Sequence, residues 1–178
     1  MRKKYRVKKH AVTQPLDTSY RLIPLTKGQN AIVDTEDWEL LNQFNWAAKW
    51  HPKENRFYAV RRGNDGKIKF MHRFLLGEPG GKEVDHKDHN GLNNRRSNLR
   101  PCTSRQNKFN SSNRKNNTSG YRGVYFDKRK NKWNVEIRKD GRHIFVGYFS
   151  DPKEAARARD RVVREIHGEF AVLNFPLS

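Results

Sequence analysis

The sequence predicts an α+β chain assembled from several small modules. Two observations lead there: short runs alternate apolar and polar residues with a period of two between Gly, Asn and Asp turns, and only a few stretches carry helix caps. A third is the stretch NSSNRKNNTS after Phe109, which holds no apolar residue and can join no core. A hydrophobic fraction of 34% is thin for one core over 178 residues, while 11% aromatic residues can anchor several small ones.

Residues 1–18 read as a basic arm opening MRKKYRVKKH. A charged start without a following apolar run is not a secretion signal, so the expected location is cytoplasmic. The arm suits either contact with a phosphate backbone or a solvated tail. Residues 20–25 and 30–34 read as strands around the turn-forming Lys27-Gly28. A short helix follows, with Thr35 as N-cap, Glu36 and Asp37 in the first turn, and Trp38, Leu41 and Phe44 on one face. Residues 57–62 and 68–74 read as strands joined by Gly63-Asn64-Asp65-Gly66, completing a β-rich N-terminal unit over 19–76.

Past a linker at 111–119, the pattern over 120–178 becomes a three-stranded antiparallel sheet packed on one helix. The strands are expected at 121–126, 132–138 and 142–149, with Asp140-Gly141 turning the second hairpin. Trp133, Val135 and Ile137 alternate with Lys132, Asn134, Glu136 and Arg138, so one face is core and the other polar. Ile144 and Val146 join the core face and leave His143 and Phe145 outside, an exposed aromatic among cations. The helix at 152–167 has Asp151 to cap it, Pro152 at its first position, Glu154 to complete a capping box and Gly168 to stop it. Its core stripe is expected at Ala155, Ala158, Val162 and Ile166, with Ala156 and Val163 beside them.

Lys and Arg number 38 against 19 Asp and Glu, a formal charge of +19, and a polyanion is the natural partner of such a chain. Nucleic acid is preferred over a membrane because there is no basic amphipathic helix, lipidation signal or long apolar run. The one cysteine, Cys102, excludes an internal disulfide and any zinc site built on paired cysteines.

Residues 84–107 read VDHKDHNGLNNRRSNLRPCTSRQN. With the upstream segments IPLTKG, VDTEDW and MHRFLLG, the chain over roughly residues 20–110 resembles HNH endonucleases of the phage and bacterial homing type, and residues 77–110 resemble their ββα-metal nuclease core. Phosphodiester hydrolysis needs a base for water, a cation beside the scissile phosphate and a scaffold for both. The resemblance implies that His86 is the general base, that Asp85 and Asn107 are the metal ligands, and that Asn98 braces the loop that orients the histidine. Oxygen ligands suit Mg²⁺ or Mn²⁺ over zinc. Asn107 falls on a helix that Thr103 can cap and Gln106 can complete as a capping box. His89 reads as a DNA contact or a surface residue, and His72 as a core histidine with a satisfied ring nitrogen. Arg95, Arg96, Arg100 and Arg105 are expected to position phosphate.

From Gly120 to Pro176 the blocks YRGV, WNVEIR, VGYF, EAARARDR and AVLNFP make the chain similar to the plant Apetala/ethylene-response DNA-binding domain. The resemblance implies that the outer sheet face enters the major groove through Arg122, Lys132, Glu136, Arg138, His143 and Phe145, with Arg159 on a phosphate. The turn YFDKRKNK is one residue longer than the plant pattern and lacks its arginine-rich run, and His143 and Phe145 stand where the plant domain more often has arginine and tryptophan. Base preference therefore does not carry across.

Together these resemblances imply a metal-dependent endonuclease acting on double-stranded DNA, leaving a 5′-phosphate and a 3′-hydroxyl, in a homing or mobile-element role in a phage or bacterium, with a monomer favoured. The alternatives are a DNA-binding regulator that keeps the nuclease fold without cutting, and an RNA-binding protein.

Overall fold

The alternation at residues 20–34 folds into a hairpin, β1 (Tyr20–Pro24) and β2 (Asn30–Asp34), with Leu22 opposite Ile32. These elements come from a computed structural model, which describes residues 10–109, 117–139 and 141–176. The start of the basic arm, most of the linker and Asp140 lie outside the described residues. The chain divides into two units, residues 1–104 and 105–178.

In the first unit, α1 (Thr35–Asn42) starts one residue earlier than expected. Asp34 is the N-cap residue, and it makes no side-chain cap bond because its carboxylate accepts from Arg95 Nε at 2.9 Å and from the Arg96 backbone N–H at 2.7 Å. The Thr35 hydroxyl donates instead to the Thr18 carbonyl. A strand that the sequence reading missed, β3 (Ala47–His51), pairs antiparallel with β4 (Arg56–Arg62), which pairs with β5 (Ile68–Phe70). Its AAKWH sequence carries little β-propensity, and the cross-strand partners make the strand. The strand expected through residue 74 ends at Phe70, where α2 (Met71–Leu75) begins. Met71, His72 and Leu75 are its buried residues, a helical spacing that a short apolar run does not separate from a buried strand.

β6 (Glu83–His86) and β7 (Leu99–Cys102) form a second hairpin, with Asp85 opposite Arg100 and His86 opposite Leu99. The loop between them is hooked onto β2: the Ile32 N–H donates to Leu92, and the Asn94 N–H donates to Ile32. One core links these elements apart from β5, from Ile23, Val33, Leu41 and Trp46 to Met71, Val84, Leu92 and Leu99. The segments read separately as 19–76 and 77–110 thus share a hydrophobic interior. Helix α3 (Ser104–Phe109) follows β7 in sequence, and all but its first residue fall in the second unit.

The second unit is a three-stranded antiparallel sheet, β8 (Val124–Asp127), β9 (Lys132–Lys139) and β10 (Arg142–Phe149), covered by α4 (Pro152–His167). The first strand starts three residues late because residues 121–123 turn, with Gly123 at φ +70°. Asp151 caps α4 by accepting from the Glu154 N–H at 2.7 Å, and Gly168 at φ +53° ends it. The buried stripe of α4 is rotated from the expected one: Ala155, Ala156, Ala158 and Val163 are buried together with Arg159 and Asp160, while Val162 and Ile166 are half-buried.

Candidate active site

Strand alternation sends Asp85 and His86, neighbours in sequence, to opposite sides of β6. The Asp85 carboxylate is 4% exposed, and its Oδ2 accepts from Arg100 Nε at 2.9 Å and Nη2 at 2.8 Å. The His86 ring is 2% exposed and lies among other rings, with centroids 5.7 Å from Tyr58 and 4.9 Å from His72. Burial lowers its pKa to about 4, although Asp88, Asn94 and Asp85 pull the other way. His86 is therefore neutral at neutral pH.

Asn98 spans the turn that follows His86. Its amide donates to Asp88 Oδ1 at 2.9 Å and to the Asn93 carbonyl at 2.8 Å, and its Oδ1 accepts from the Asp88 N–H at 3.1 Å. The Asn98 carbonyl accepts from the Lys87 N–H, and the His89 N–H returns to the His86 carbonyl. These bonds tie the backbone of Lys87 and Asp88, next to His86, to Asn98 and, through its amide, to Asn93 farther along the loop. Asn107 lies half-buried on α3 and Arg105 is exposed there.

Three arginines expected on phosphate each pair with a carboxylate, Arg100 buried and Arg96 with half of its side chain still exposed. Arg95 pairs with Asp34 at 2.9 Å, Arg96 forks onto both oxygens of Asp37 at 2.8 and 2.7 Å, and Arg100, 9% exposed, holds Asp85. Each guanidinium meets a carboxylate supplied by a segment remote in sequence. His72 also departs from expectation, since its Nδ1 is buried and has no hydrogen-bond partner among the described residues.

In the second unit the register gathers Lys132, Glu136, Arg138, His143 and Phe145 on the exposed sheet face, with Glu136 opposite Phe145 and Arg138 opposite His143. Glu136 Oε2 lies 3.0 Å from His143 Nδ1. Tyr125 and Tyr148, both opposite Asn134, extend the same face and were missed; alternation beside the core residue Val124 points to Tyr125, whereas Tyr148 reaches this face only through the register shift between Phe145 and Gly147, which period-two counting does not show. Phe145 is 55% exposed, with its ring centroid 5.1 Å from that of Tyr148. Arg122 is half-buried, and burial lowers its pKa. Arg159, expected on a phosphate, is 6% exposed: its Nη1 donates to Asp160 Oδ1 and to the Val172 carbonyl, and its stem packs where Gly123 leaves no room for a Cβ.

Residues 75–109 match the family model described as HNH endonuclease. The chain is 30% identical over 166 residues to "Uncharacterized HNH endonuclease L560" of Acanthamoeba polyphaga mimivirus, covering 87% of this chain and 80% of that one. The chain belongs to the HNH endonuclease family. It is thus a nuclease. "Protein 3.8" of Escherichia phage T7 is 35% identical over 94 residues, 52% of this chain and 76% of its own. "APETALA2-like protein 2" of Oryza sativa subsp. indica is 39% identical over 61 residues, 34% of this chain and 14% of that protein.

A divalent cation in this HNH nuclease would depend on few protein atoms. No group of three or more His, Cys, Asp or Glu side chains able to hold a metal is present among the described residues. Cys102 is buried, with its thiol pushed up to about 11 by that burial, so no thiolate is on offer. One carboxylate completed by amide, water and phosphate oxygens fits a hydrated hard cation and does not fit a closed zinc site.

Proposed function

We propose that this HNH nuclease hydrolyses phosphodiester bonds of duplex DNA in a metal-dependent reaction with His86 as general base. The observation that carries the reading is the succession of Asp85 and His86 on β6, closed by the Asn98 clamp on the turn that follows. His86, neutral well below pH 7, is in the form that can accept a proton from water. The hydroxide so formed attacks phosphorus, and the bond to the 3′ oxygen breaks, leaving a 5′-phosphate and a 3′-hydroxyl. With the ring 2% exposed, water reaches it only when a neighbouring side chain gives way.

Asp85 is the carboxylate that would hold Mg²⁺ or Mn²⁺, sharing its oxygens with Arg100. Asn107, the other candidate ligand in the matched segment 75–109, adds an amide oxygen. The bound cation would supply neutralisation of charge on the scissile phosphate and leaving oxygen. Asn98 is a positioning residue in this scheme. The exposed sheet face of the second unit serves as the duplex-binding surface, and this is supported by its cations and aromatics and by the similarity to plant proteins named APETALA2-like. A homing or mobile-element role is consistent with a nuclease and a DNA reader in one basic chain.

Supercoiled plasmid with Mg²⁺ or Mn²⁺ tests the reading, wild type against His86→Ala. The expected result is nicking by wild type that the substitution and EDTA both abolish. Binding without cutting by wild type would favour a DNA-binding regulator.

A further inference from the structure

The ring packed most closely against His86 is itself a histidine. His72, the second residue of α2, is 7% exposed, and its ring stands edge-on to that of His86 at 83° with centroids 4.9 Å apart. Phe70 and Tyr58 enclose it further, with centroids at 5.3 and 5.5 Å. Its Nδ1 is buried without a hydrogen-bond partner among the described residues. An unpaired buried nitrogen destabilises a fold, and phenylalanine would fill the same aromatic enclosure without that penalty. A polar atom kept at such a place points to function.

We propose that His72 is a positioning residue for hydrolysis, whose Nδ1 lone pair steadies the His86 ring as that ring takes the proton from water. The proposal rests on His86 being the base. Proton uptake puts a positive charge on a ring that solvent barely reaches, and charge developing in such a site is stabilised by dipoles already in place. A neutral imidazole with its proton on Nε2 offers a lone pair and a π-face there. Phenylalanine offers only the π-face.

Single-turnover plasmid cleavage by the full chain, together with duplex affinity and thermal unfolding, decides it for His72→Phe, His72→Asn and His86→Ala. His72→Phe is expected to unfold no lower than wild type and to bind DNA unchanged while cutting at least about tenfold more slowly. His72→Asn carries an oxygen at the same distance along the side chain as Nδ1, and is expected to recover most of that rate despite its smaller volume. A packing role predicts the reverse order, with Phe benign and Asn harmful. Cleavage by His72→Phe within about threefold of wild type, or equal impairment of both variants, overturns the proposal. An inactive His86→Ala beside a fully active His72→Phe overturns this proposal alone, whereas a fully active His86→Ala removes the base assignment and this proposal with it.

Discussion

Arg100 and Asp85 face each other across β6 and β7, with guanidinium Nε and Nη2 both donating to Oδ2 at 2.9 and 2.8 Å. Both groups are almost wholly buried, so each holds the other's charge away from water. Arg100→Ala should destabilise the protein by about 3–5 kcal/mol, because it takes a charged, doubly hydrogen-bonded partner from a buried carboxylate. Denaturant unfolding checks this. A phosphate-contacting arginine would instead lower the salt slope of DNA binding by about one and leave the unfolding midpoint in place.

The two buried histidines predict acid sensitivity. Burial lowers His86 to about 4 and His72 to about 3 from an ordinary 6.5. The unfolded chain therefore binds protons that the folded chain refuses once pH falls below 6.5, and stability drops through that window toward pH 3. Above pH 6.5 the effect is flat. Unfolding midpoints between pH 4 and 7 should show a loss on the order of a few kcal/mol, and His72→Phe should remove its share of that slope. A midpoint independent of pH below 6.5 would contradict the burial of both rings.

Asn98→Ala should slow cleavage by about tenfold or more without weakening duplex affinity, because two of the three bonds it removes hold Asp88 in the turn beside His86 and the third ties that turn to Asn93. Asn98→Asp keeps the acceptor for the Asp88 N–H but sets a second carboxylate against Asp88, and should fare no better. Single-turnover rates at saturating enzyme separate this from a binding defect.

On the second unit, exposed and buried cations should respond in opposite ways. Arg138→Ala or Phe145→Ala on the open sheet face should weaken duplex binding while moving stability by no more than about 0.5 kcal/mol. Arg159→Ala should act first on folding, at about 3–5 kcal/mol, since it leaves Asp160 buried and unpaired on one side. Circular dichroism melts beside salt-titrated binding curves distinguish the two.

Much of the architecture was legible because it is local. The period-two alternation at Trp133, Val135 and Ile137, the Asp151 cap with Pro152 and Glu154, and the Gly168 stop are each decided within a few residues, and β10 and α4 have the bounds that those signals predict. The elements that escaped were of the other kind. Strand β3 exists through its pairing with β4, and α2 replaces the end of a predicted strand because Met71, His72 and Leu75 meet a core built by distant residues.

The amino-acid sequence alone determined the order of strands and helices in the second unit, the polyanion-seeking charge, and the succession of Asp85, His86, Asn98 and Asn107 in one segment. Only the tertiary structure decided which charges face outward. Arg95, Arg96, Arg100 and Arg159 are indistinguishable in sequence from phosphate-binding arginines, yet each pairs with a carboxylate, that of Asp34, Asp37, Asp85 or Asp160, and Arg100 and Arg159 are buried with theirs. The physical reason is that a charge pairs with whatever counter-charge the fold brings within a few ångströms, and for three of these four the partner comes from a segment remote along the chain.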